Sequence, residues 1–249
     1  MAEPIPAATL ILFRDTGPAS EHLFVERAAT MAFAAGAIVF PGGRVDPGDR
    51  RMAEAYDALD PDDAAARIAA VRETIEEAGI AVGVTPAPTV EQVVQLREAL
   101  AAGIAFDAAL SDHGLVLDLS VLTLFARWCP NFAETRSFDT RFYLAHVPAG
   151  AHEASVDATE NVQLFWSTAA AVLDRAAEGT LKIIFPTRRN LERLAMLPTF
   201  SAAVAHAAAY PVELIVPRIE QRDGVGWLTI PTHLGYPICA TPLALLERG

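Results

Sequence analysis

Between Asp60 and Gly79 the sequence spells out one helix with both of its ends marked. Asp60 is placed to cap free N–H groups, Pro61 suits the first helical position, and Asp62 and Asp63 favour the positive end of the helix dipole. Gly79 supplies the stop, since the left-handed residue that ends many helices is most easily a glycine. Inside these limits Ala64, Ile68, Val71, Ile75 and Ala78 recur at three- and four-residue steps, which gives the helix one apolar face. The opposite face is left for chemistry.

Around this helix the pattern reads as strand and helix in alternation. Apolar runs at 8–13 and 22–27, joined by the turn residues Asp15 to Pro18, predict two strands, and 36–40 a third that stops at Pro41-Gly42-Gly43. Residues 44–49 read as a loop, and the stretch to Asp60 is polar with some helical tendency. Further on, 89–102 predicts a helix, followed by a short segment ending near Gly114. Trp128 and 141–147 suggest a return to sheet, and 163–166 another strand. Helices are expected at 167–178, opened by Ser167 or Thr168 and closed by Gly179, at 187–197 and at 199–209, with strands near 212–216 and 226–230.

With 52% hydrophobic and 20% charged residues, the 249-residue chain can bury a sizeable core. Its first nine residues carry no basic residue ahead of the apolar run, unlike a secretory signal, and no stretch approaches the roughly 18 apolar residues of a membrane span. A soluble, cytoplasmic protein is expected. Cys129 and Cys239 are far apart and in no metal-ligand spacing. A net charge of −12 argues against a broad nucleic-acid surface, which needs clustered positive charge. Lys182 is the only lysine, so almost all positive charge is guanidinium, suited to bidentate phosphate contacts.

The informative segment is Arg72-Glu73-Thr74-Ile75-Glu76-Glu77-Ala78-Gly79-Ile80. At about 100° per residue, Glu73 and Glu77 project about 40° apart and Glu76 about 60° from Glu73, all away from Ile75. Like charges so close destabilise a bare helix by a few tenths of a kcal/mol per pair, roughly. Hard divalent cations make such crowding useful, because Mg²⁺ takes carboxylates, waters and substrate phosphates as ligands. A Glu-rich helix face is more often simply solvated. No HExxH pair, GxSxG elbow, P-loop or GxGxxG fingerprint is present.

From Gly43 to Ile80 the sequence resembles the Nudix box, in which a glycine loop leads to a helix bearing Arg-Glu, two residues, Glu-Glu, one residue, Gly and an apolar residue. Every element of the helical half matches, at Arg72, Glu73, Glu76, Glu77, Gly79 and Ile80. Two features depart from it. Asp49 stands where the box usually has a glutamate, six positions after Gly43, which leaves its pairing with Arg72 open, and the connection from Asp49 to Arg72 is about fifteen residues longer than usual. A box interrupted in this way is similar to the branch that includes a peroxisomal coenzyme A diphosphatase of mammals. Weaker similarities to that branch run through 33–43, 136–143 and 185–191.

The resemblance implies an α/β fold, an α/β/α sandwich with a mixed sheet and extra helical insertions. It implies a single domain over 1–249 with insertions at about 50–63 and 85–115, expected to form a lid or specificity wall, and a C-terminal extension from about 186. Glu73 and Glu77 would be metal ligands for Mg²⁺ or Mn²⁺, and Glu76 a further ligand or a base positioning water. Arg72 would orient the acids, and Gly43 would let the backbone approach metal or phosphate. Arg27, Arg136 and Arg141 are candidates to clamp substrate phosphates. Among the loop acids Glu153, Asp157 and Glu160, the last is the preferred additional acid.

The expected partner is a small nucleotide-derived diphosphate, with no nucleic acid and no membrane; a homodimer is left open. The expected reaction is hydrolysis of a nucleoside diphosphate linked to another group, with coenzyme A or acyl-coenzyme A favoured by the branch. ADP-ribose, NADH and dinucleoside polyphosphates are alternatives. A non-catalytic Nudix-like nucleotide sensor is a rival of another class, and the three retained glutamates speak against it.

Overall fold

The first strand, β1 (Ile5–Phe13), is buried on both sides, which requires helices above and below it. Ala8, Leu10 and Leu12 enter one core while Ile11 and Phe13 enter a second on the opposite face. The computed structural model describes residues 3–28, 34–130, 137–147 and 161–246. Arg136, Glu153, Asp157 and Glu160 lie outside these, as does Phe33.

In chain order, β2 (His22–Arg27) and β3 (Ala37–Val39) lead to β4 (Gly42–Arg44) and the helices α1 (Pro47–Ala53) and α2 (Pro61–Ala78). The stretch expected to be an insertion at 85–115 contains β5 (Val84–Thr85), α3 (Val90–Ala101) and α4 (Phe106–Asp112), and β6 (Val116–Leu117) closes it. Then come β7 (Thr123–Trp128), β8 (Phe138–His146), β9 (Asn161–Ser167), α5 (Ala169–Ala177), β10 (Lys182–Ile183), α6 (Phe185–Leu194) and α7 (Phe200–Ala209). The described chain ends with β11 (Leu214–Ile215), β12 (Arg218–Arg222), β13 (Val225–Thr229), β14 (Ala240–Pro242) and α8 (Leu243–Leu246).

One sheet runs β11-β7-β8-β1-β4 and a second β10-β3-β2-β9. Both are mixed: β1 is parallel to β8 and antiparallel to β4, while β3 is parallel to β10 and antiparallel to β2. Helix α2 belongs to the first core, with residues of α1, α3 and α4, and α5, α6 and α7 pack in the second. This is the mixed α/β architecture expected. Among the described residues no helix is long and apolar enough to cross a membrane.

Three readings need correction. Residues 47–49, expected as loop, form the first turn of α1, where Pro47 costs no helical hydrogen bond. Gly42 to Arg44, expected as a turn and loop, pairs with β1 in the register Thr9↔Gly42, Ala8↔Gly43, Ala7↔Arg44, because a distant strand supplies the hydrogen bonds that no local signal announces. Helix α6 starts at Phe185 rather than Thr187 and ends at Leu194, since a proline in the first turn forfeits no helical hydrogen bond.

The seam between β1 and β2 holds a buried histidine. His22 donates from Nδ1 to the Leu12 carbonyl at 3.1 Å and packs edge-on against Phe13 at 4.5 Å. Burial lowers its pKa to about 4, against opposing effects of the Leu12 bond and of Asp15 and Glu21. The folded state therefore refuses a proton that the unfolded chain accepts near pH 6.5. Stability from this group is full above that pH and is lost as pH falls towards 4. The loss is on the order of 3 kcal/mol. In urea unfolding, the stability advantage of wild type over His22→Asn should shrink by about that amount between pH 7 and 4. A constant difference would show that His22 takes up its proton in the folded state.

Candidate active site

Helix α2 starts and stops as its sequence dictates. Asp60 accepts from the Asp63 N–H at 3.0 Å, and Gly79, at φ 67°, donates its N–H to the Ile75 carbonyl. Ala64, Ile68, Val71, Ile75 and Ala78 are fully buried. The polar side of the last two turns faces the Gly42-Gly43 strand instead of open solvent. Glu77, only 7% exposed, accepts from the Gly42 N–H at 2.9 Å through Oε2. A Cβ built on Gly43 would lie 2.3 Å from Cδ and Oε1 of Glu73, so no larger residue allows this approach. One on Gly42 would lie 2.3 Å from the Ala8 carbonyl oxygen.

Arg72 organises the acids. Its Nε and Nη2 donate to the two carboxylate oxygens of Asp49 at 3.0 and 2.9 Å, and Nη2 also donates to the Arg44 carbonyl at 3.0 Å. Nη1 donates to Glu73 at 3.0 Å and Glu76 at 3.1 Å. All five donors of the guanidinium fork are thereby used. The open question about Asp49 is answered: the shorter acid reaches Arg72 because α1 carries it there. Asp49 also accepts the Asp46 N–H at 2.8 Å, closing a capping box at the start of α1.

The electrostatics reflect this crowding. Burial pushes Glu73 up to about 8, aided by the charges of Glu76 and Glu77 and opposed by Arg72. Glu76 is raised too, by burial first and then by Asp49 and Asp46, again against Arg72. Burial disfavours the Arg72 charge, but the Asp49 bond and the neighbouring acids outweigh it and raise its pKa. The carboxylates thus hold negative charge at a cost, which a cation would relieve.

Among the described residues no three His, Cys, Asp or Glu side chains are gathered as a ready metal cage. The donor chemistry nevertheless fits a hard divalent ion. Glu73, Glu76 and Glu77 offer only oxygens, and the bare glycine backbone leaves Glu73 room.

Of the other sequence-predicted residues, Arg141 lies in one row of the sheet with the site: Arg127↔Arg141, Arg141↔Ala8 and Ala8↔Gly43 are successive partners. It is only 9% exposed, and its charge acts on Asp62 and Tyr143, towards the N-terminal end of α2. Arg27 ends β2 at a register shift, and its Nε is buried with no hydrogen-bond partner. No described hydrogen bond or ion pair joins either arginine to the three glutamates. Sequence reasoning missed Gly42 as a donor to Glu77 and Arg97, whose guanidinium bonds to the Glu76 carbonyl. Arg97 carried one signal: it is the only Lys or Arg between Ile80 and Ala126.

A mixed sheet between helices, with an Arg-Glu-x-x-Glu-Glu helix end folded onto a glycine pair, defines the Nudix class of architecture. A NUDIX hydrolase from Alicyclobacillus acidocaldarius is 32% identical, with 82% of this chain and 97% of that chain covered and a TM-score of 0.72. The chain belongs to the Nudix hydrolase family, enzymes that act on pyrophosphate bonds. A MutT protein from Methanosarcina mazei Go1 (15% identity, 79% of this chain and 96% of that one, TM-score 0.46) is more distant. So is the NUDIX domain of Shewanella oneidensis NrtR, solved with ADP ribose (13%, 77% and 86%, TM-score 0.45). The chain matches no protein-family model and no curated protein.

Proposed function

We propose that this enzyme is a divalent-cation-dependent diphosphatase that splits a nucleoside diphosphate linked to another group, with coenzyme A or its thioesters as the preferred substrate class. The observation that carries the reading is the acid cluster itself: Glu73 and Glu77 lie against the Gly42-Gly43 backbone, and Glu73 and Glu76 share one buried arginine. Glu73 and Glu77 would hold Mg²⁺ or Mn²⁺, and Glu76 is a further ligand or the base that positions water. When bound, the cation neutralises the diphosphate and lowers the pKa of water. Arg72 keeps Glu73 and Glu76 turned to one side, and Gly43 leaves the substrate a path to the backbone.

Arg141 and Arg27 are the proposed phosphate clamps. Support comes from the burial of the first, for which no hydrogen bond or ion pair is found among the described residues, and from the unpartnered Nε of the second, since a guanidinium donor in a protected place favours an oxyanion. Arg136 and Glu160 remain part of the proposal on sequence grounds alone. The preference for coenzyme A rests on the interrupted box and the three weaker sequence similarities.

The test is a screen of coenzyme A, acyl-coenzyme A, NADH, ADP-ribose and diadenosine polyphosphates with Mg²⁺ or Mn²⁺, reading products by mass. Coenzyme A and acyl-coenzyme A are expected to give a nucleotide and a phosphorylated remainder fastest. Faster cleavage of another member reassigns the substrate. Binding without turnover of any member would favour a nucleotide sensor.

A further inference from the structure

We infer that Arg97, on α3, is a positioning residue for the acid cluster at the end of α2. Its guanidinium donates twice to the main-chain carbonyl of Glu76, from Nε at 3.2 Å and from Nη2 at 2.9 Å. That carbonyl lies just past the bond from Gly79 to Ile75 that ends the helix, among the acceptors every helix terminus leaves without an internal partner. A cation is also favoured there by the helix dipole, yet the last turn of α2 has no basic residue of its own. The charge is supplied from another helix.

The two ends of α2 are therefore held by different parts of the chain. At the start, Tyr143 donates to Asp63 at 2.7 Å, and Arg67 ties Asp63 to the carbonyls of Leu119 and Leu122. At the end, Arg97 grips the turn from which Glu76 and Glu77 project. Val93 and Leu96, both buried, dock α3 and so fix the base of the Arg97 side chain. Without the grip, the last turn is free to fray, and fraying moves Glu77 off the Gly42 N–H and Glu76 off Arg72. The region expected as a lid thus acts on the site through the backbone of the helix.

The inference rests on reading the glutamates as the cation-holding set, so the test separates the two. Mn²⁺ affinity is measured by titration of wild type, Arg97→Ala and Arg97→Lys without substrate, and amide hydrogen exchange over 73–79 is measured on the metal-free proteins. Kinetics use the diphosphate cleaved fastest by wild type. Arg97→Ala should weaken Mn²⁺ binding by about tenfold, the lower range for residues that orient metal ligands. It should lower kcat by a similar factor with KM within about twofold, and speed exchange in the last turn of α2. Arg97→Lys, which keeps the charge but loses the fork, should recover part of each. Mn²⁺ affinity, kcat and exchange all near wild type in Arg97→Ala would overturn the inference, even with a lowered melting temperature. If Arg97→Ala does not fold, Arg97→Gln is compared with Arg97→Lys: weaker Mn²⁺ binding in the glutamine variant supports the inference, and equal, wild-type-like binding in both overturns it. A wild-type protein that binds no Mn²⁺ overturns the reading of the glutamates and the inference with it.

Discussion

Glu77→Gln should abolish cation-dependent turnover while the protein stays folded. Glutamine has nearly the same shape, and its carbonyl oxygen can take over the bond from the Gly42 N–H that Glu77 accepts at 2.9 Å. The substitution also removes one of the charges that raise Glu73, which offsets part of the cost of burying an amide. The melting temperature should stay within about 3 °C, the shift produced by roughly 1 kcal/mol in a chain of this size. Turnover should fall well beyond the 10–100-fold typical of groups that only orient metal ligands, since a ligand itself is lost. The measurement is kcat with Mg²⁺ and with Mn²⁺, beside a Mn²⁺ titration of the free protein. A variant that still binds Mn²⁺ and turns over at the wild-type rate would remove Glu77 from the ligand set and weaken the whole assignment.

Much of this arrangement could be read from the chain because its signals are local. The ends of α2 are written in Asp60, Pro61 and Gly79, and its buried face in a three- and four-residue repeat; each appears in the structure where the sequence has it. The same holds for β2, whose ends agree with its apolar run, and for α3, which Thr89 caps. What escaped depends on partners far away in sequence. Two glycines look like a turn until β1 pairs with them. Asp49 seems one methylene too short until α1 is seen to carry it to Arg72. Arg97 looks like a surface cation on an amphipathic helix, because its partner is a backbone carbonyl, and a carbonyl has no letter in the sequence. Of the C-terminal sheet only β13 was anticipated; β12 is exposed throughout and has no apolar alternation to betray it.

Arg72→Met should be the most destabilising change at the site. The guanidinium is buried and makes five hydrogen bonds, and its main partner Asp49 is almost wholly enclosed. Removing one side of a buried ion pair usually costs about 3–5 kcal/mol, because the other charge is left behind without compensation. Here three acids lose the same cation. Asp49 keeps only the Asp46 N–H, while Glu73 and Glu76, already pushed up by burial, lose the one neighbour that holds them down. Replacing Asp49 as well should restore part of the loss, since it removes the stranded carboxylate: Asp49→Leu in the Arg72→Met background should be more stable than Arg72→Met alone. Urea unfolding of wild type, the two single variants and the double variant at pH 7 gives the coupling directly. A loss under about 1 kcal/mol in Arg72→Met, with no coupling to Asp49, would mean that the acids are stable without their arginine. Their close approach to the glycine strand would then have to be held by packing alone.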